Sequence, residues 1–66
     1  MKKVYSDNLC YVWETNTGRK IVAEKCFGGS AYWNVTLVLS PGNCMKLGTR
    51  CTWGKVLDFC LEYDGK

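Results

Sequence analysis

The chain has 66 residues, nine lysines and arginines against six acids, five cysteines and no histidine. That length holds a single domain, and a net charge of +3, supplied largely by Lys2 and Lys3, does not favour nucleic acid as a partner. Asp7, Glu14, Glu24, Asp58, Glu62 and Asp64 show no paired spacing. Without histidine they offer little for acid–base catalysis, so the chain reads as a non-enzyme with no cofactor.

Taken in order, residues 1–8 read as a flexible or partly strand-forming N-terminus of a small β domain spanning 1–66. Met1, Lys2 and Lys3 resemble the opening of a leader, but mixed, polar sequence follows in place of an apolar core, so no secretion signal is expected. Leu9 to Glu14 is rich in aromatic and branched residues, Thr15 to Gly18 carries turn residues, and Arg19 to Phe27 resumes as strand. This predicts a hairpin with Cys10 and Cys26 flanking it.

Gly28, Gly29 and Ser30 break the chain before the firmest element. There Trp33, Val35, Leu37 and Leu39 alternate with Tyr32, Asn34, Thr36 and Val38, the period of a half-buried strand. Asn34 and Thr36 interrupt its apolar run, which is too short to cross a membrane. Asn34, Val35 and Thr36 also form a glycosylation sequon. Ser40 to Asn43 is a turn, and short strands are expected around Cys44 to Leu47 and Arg50 to Trp53. A last strand is expected where Leu57, Phe59, Leu61 and Tyr63 alternate with Val56, Asp58, Cys60 and Glu62. With no helical period picked out, the fold class is all-β: a small, disulfide-stapled β-sandwich of five or six short antiparallel strands. Its core strip would be Trp33, Val35, Leu37 and Leu39, facing Leu57, Phe59 and Leu61.

A chain this small buries little apolar surface, and scattered cysteines are a common remedy. The closest pair, Cys44 and Cys51, has six residues between them, wider than the usual spacing of structural zinc ligands, so no metal is expected. Disulfides are expected instead, one joining Cys10 to a cysteine in the 44 to 51 region, with one thiol left over. Tyr11, Trp13, Tyr32, Trp33, Trp53, Phe59 and Tyr63 with Arg19, Lys20, Lys46, Arg50 and Lys55 could stack nucleic-acid bases, but a domain of this size needs its rings for the core.

The run Leu9-Cys10-Tyr11-Val12-Trp13, a polar turn, Lys25-Cys26-Phe27, a Trp-led alternating strand and a cysteine after a further turn resembles the MAX effectors. These are small secreted virulence proteins of plant-pathogenic fungi that include ToxB-like toxins. The resemblance implies six strands in two three-stranded sheets. It also implies a disulfide from Cys10 to Cys51, with Cys44 as the alternative mate, a second from Cys26 to Cys60, and Cys44 as a free thiol. In function it implies a secreted effector, delivered into or around host cells, that binds a host protein domain of heavy-metal-associated type as a monomer, without membrane insertion. Strand-edge pairing through residues 19 to 26 or 31 to 38 is the expected mode, with Arg19, Lys20, Val22, Glu24 and Tyr32 as contacts. Two other classes fit the composition: a secreted cysteine-rich antimicrobial or toxin-like protein, and a phage or bacterial intracellular inhibitor with reduced thiols.

Overall fold

The computed structural model describes residues 2–28 and 30–64, with side chains for 2–26 and 32–64. Five strands, β1 (Lys2–Ser6), β2 (Cys10–Glu14), β3 (Lys20–Gly28), β4 (Ser30–Ser40) and β5 (Asn43–Cys51), form one antiparallel sheet in the order β1-β2-β3-β4-β5. A helix, α1 (Trp53–Asp64), follows β5. The mostly β class with five antiparallel strands is as expected. The N-terminal segment is a full strand, and the two short candidates after Asn43 are one irregular strand, β5. Gly29, part of the expected break before β4, lies outside the described residues.

Two features differ from the expectation. There is one sheet in place of a sandwich, and the C-terminal segment is a helix in place of a strand. Thr52 starts it: its Oγ1 accepts the Lys55 N–H at 3.3 Å and its carbonyl accepts the Val56 N–H at 3.1 Å, the pattern of an N-cap. Val56, Phe59, Cys60 and Tyr63 then recur at the three- and four-residue spacing of a helix face and pack on the sheet. Leu57 and Leu61, expected in the core, are 43 % and 76 % exposed. The architecture also departs from the pair of three-stranded sheets that the MAX-effector resemblance implies.

The register assigns the two faces. Trp13 pairs with Ile21, Ile21 with Leu37, Tyr11 with Ala23, and Ala23 with Val35, so these side chains share the face that α1 covers. Trp13, Ile21, Ala23, Val35 and Leu37 of the sheet and Val56 and Cys60 of the helix form the core. Leu39, expected in this strip, lies at the end of β4 and is 37 % exposed. Cys10, Val12, Lys20, Val22, Glu24, Cys26, Tyr32, Asn34 and Thr36 lie on the opposite, uncovered face, because neighbours along a strand point to opposite sides.

That arrangement separates the cysteines expected to pair, and all five are free thiols. Cys10 lies on β2 and Cys51 on β5, with β3 and β4 between them. Three strand spacings amount to about 14 Å, twice the Cα separation a disulfide tolerates. Cys44, on the same strand β5, is no nearer in strand order. Cys26 points to the uncovered face and Cys60 into the core on the other, so the sheet itself stands between them.

Candidate partner-binding surface

Four rings gather where the helix begins. Tyr11 and Trp13, two apart on β2, stack at 5.7 Å between centroids with planes 11° apart. Ala23 beside them on β3 is small enough to let Trp33 of β4 reach across, 5.6 Å from Tyr11. Trp53, the first residue of α1, closes the group at 5.2 Å from Tyr11, 6.0 Å from Trp13 and 4.9 Å from Trp33. The rings fill each other's space, as a small core requires. Trp53 nevertheless remains 38 % exposed, and Leu57 and Leu61 continue an apolar flank along the helix. Of the seven aromatics expected in a stacking face, Phe59 and Tyr63 pack against the core and Tyr32 lies on the uncovered face. The guanidinium of Arg50 sits 6.0 Å from the Tyr32 ring and the ammonium of Lys55 5.1 Å from the Phe59 ring.

β1 borders this cluster as an edge strand with all five residues exposed. Its sequence neighbour Asp7 makes the turn into β2. Asp7 Oδ1 accepts the N–H groups of Leu9 and Cys10, each at 2.7 Å, Oδ2 accepts the Tyr5 hydroxyl at 2.6 Å, and the Asp7 N–H donates to the Cys10 carbonyl at 2.9 Å. The Tyr5 hydrogen bond, followed by those from the backbone, holds the Asp7 carboxyl below the usual carboxylate range. The same bond and the Asp7 charge raise the Tyr5 phenol.

The ladder shows which backbone groups of β1 stay unpaired. Lys25 N donates to Leu9 O and Thr15 N to Arg19 O, so the odd-numbered positions of β2 bond towards β3 and the even-numbered ones towards β1. Lys2 lies opposite Glu14 and Tyr5 opposite Val12, with a register shift between Lys3 and Tyr5. The alternation therefore leaves the N–H and C=O of Lys3 and Ser6 directed outward. At the other edge, β5 runs against β4 with three register shifts, and Arg50 adopts φ of 53°. Such irregularity makes β5 a poorer template for strand addition.

The residues expected to bind a partner are placed differently. Lys20, Val22 and Glu24 lie on β3, paired on both sides, and Tyr32 lies on β4, also interior; the two stretches named as edges are the middle of the sheet. Proline at Val22 would break an interior ladder bond and the fold with it. Arg19 is exposed in the turn before β3, where its N–H donates to Thr15 Oγ1 at 3.2 Å. Lys20, Val22, Glu24 and Tyr32 do share the uncovered face. On it Asn34 donates from Nδ2 to Cys26 Sγ at 2.8 Å, so the sequon side chain is already engaged.

The thiols differ in environment. Burial, followed by the charge of Asp64, raises the Cys60 thiol; burial, then Glu24 and Asp7, raises Cys10; Cys44 is exposed. Among the described residues no group of three Cys, Asp or Glu is placed to hold a metal ion, and no helix is long and apolar enough to cross a membrane. No family model, curated protein or solved structure matches this chain.

Proposed function

We propose that this protein acts by binding another protein, with β1 receiving an extended segment of the partner as a sixth strand. The observation that carries this reading is the position of β1: a fully exposed edge strand with outward backbone groups at Lys3 and Ser6, beside the Tyr11 and Trp13 rings of β2. Strand addition takes affinity from main-chain hydrogen bonds and specificity from neighbouring side-chain pockets. The narrower reading, a secreted fungal effector whose partner is a host domain of heavy-metal-associated type, rests on the sequence resemblance.

Titration with the strand-forming peptide acetyl-TVTVTTT-amide, followed by amide NMR, tests the edge. The largest shifts are expected from Lys3 to Ser6, and Lys3→Pro, which removes an outward donor, is expected to abolish them while circular dichroism stays unchanged. Shifts confined to β5 or to the uncovered face would refute the assignment of β1.

A further inference from the structure

The charges along β1 are unevenly placed. Lys2 and Lys3 stand at one end and Asp7 at the other. Exposed Lys2 has the half-buried Glu14 directly across on β2. Lys3 has no such answer: it lies opposite Trp13, its ammonium sits 5.5 Å from the centre of the Tyr11 ring, and no carboxylate of the described residues is within ion-pair distance. Lys3 is exposed, and an ammonium held over a ring from the solvent side is weakly bound, leaving it able to turn to an anion.

We propose that the segment received by β1 is acidic at the end that lies beside Lys2 and Lys3, and uncharged where it passes Asp7. This rests on the edge-strand reading above and adds to it the charge and polarity of the partner. In the antiparallel arrangement, the slightly stronger of the two ladders, the acidic end is the C-terminal end of the segment. A carboxylate opposite Lys3 shares the face of Tyr11 and Trp13, so its arrival moves a cation off an aromatic ring. A carboxylate at the far end would meet Asp7, whose own oxygens are occupied by Tyr5, Leu9 and Cys10. An added strand of the opposite polarity would bring its acidic end against Asp7 and leave Lys2 and Lys3 unanswered.

Three peptides decide it: acetyl-TVTVTEE-amide, acetyl-TVTVTTT-amide and acetyl-TVTVTKK-amide, titrated at low salt with tryptophan emission as readout. The glutamate peptide is expected to bind about threefold to tenfold more tightly than the threonine peptide, and the lysine peptide more weakly by a similar factor, as exposed charge pairs allow. Lys3→Glu, at an exposed position, is expected to reverse the order, and N-methylation of alternate amides to abolish binding of all three. Equal affinities for the three peptides would overturn the charge proposal while leaving the edge reading in place. Absence of binding by every peptide, or undiminished binding of the N-methylated forms, would overturn both. Sedimentation showing a dimer that the peptides dissociate would put a second copy of this chain on the edge, and would equally overturn the proposal.

Discussion

Asp7 governs the β1–β2 turn through an ionised side chain, so the turn is coupled to pH. Its folded pKa lies below the ordinary value of about 3.9, and the unfolded chain therefore binds more protons in the acid range. The contribution of Asp7 is intact above the unfolded value and is lost as pH falls through the folded one. Amide-exchange protection in β1 is expected to drop across that window, and Asp7→Asn to show the low-protection state at neutral pH; full protection in the variant would refute the role given to the carboxylate. Gly48 is constrained differently. A Cβ there would lie 2.7 Å from Cys51 Sγ and 3.3 Å from the Phe59 ring, whereas at Gly54 the nearest group is Thr52 Oγ1 at 3.9 Å. Gly48→Ala is expected to destabilise by about 1–3 kcal/mol and Gly54→Ala to be neutral or stabilising by up to about 1 kcal/mol, measured by urea unfolding. Equal effects at the two sites would show that the Gly48 contact yields.

At the level of elements, the β2–β3 hairpin and β4 were legible because local chemistry and pattern agree: turn residues punctuate them, Gly18 takes φ of 83°, and alternation in Trp33 to Leu37 matches a sheet with one face covered. The helix was not legible by alternation. Val56, Phe59, Cys60 and Tyr63 satisfy a helical face, while Leu57, Phe59, Leu61 and Tyr63 satisfy a strand face, so the same residues support both periods. The deciding signal was Thr52, a capping residue just before Trp53, Val56 and Cys60 at helical spacing. Leu37→Ala, at a fully buried site, is expected to cost about 2–5 kcal/mol, whereas Leu61→Ala, on the exposed flank, is expected to cost under about 0.5 kcal/mol. A large loss at Leu61 would restore the strand reading. The sheet edges were misplaced for a related reason: strand order is set by which turns are tight, and the pattern of β3 and β4 is the same at an edge as in the middle. Of the aromatic cluster, the ring count was visible in sequence, but the gathering of Tyr11, Trp13, Trp33 and Trp53 depends on the helix starting at Trp53, against rings from β2 and β4.

For the molecule as a whole, a single sheet with one helix leaves the five thiols graded by exposure, from Cys44 in solvent to Cys60 in the core. Alkylation of the reduced, folded protein with iodoacetamide is expected to modify Cys44 first and Cys60 last, since burial both shields Cys60 and raises its thiol pKa. A fast-reacting Cys60 would mean that α1 does not stay docked. The meander has a further implication. Each strand pairs only with its neighbours along the chain, so the sheet can zip up through short loop closures, each with a small entropic cost. The helix stands apart: Asn16 N–H donates to Asp64 Oδ1 at 3.2 Å across 48 positions of sequence, joining the second hairpin to the end of α1. The five strands precede that segment in the chain, so a sheet that formed first would carry Trp13, Ile21, Val35 and Leu37 uncovered until α1 docked.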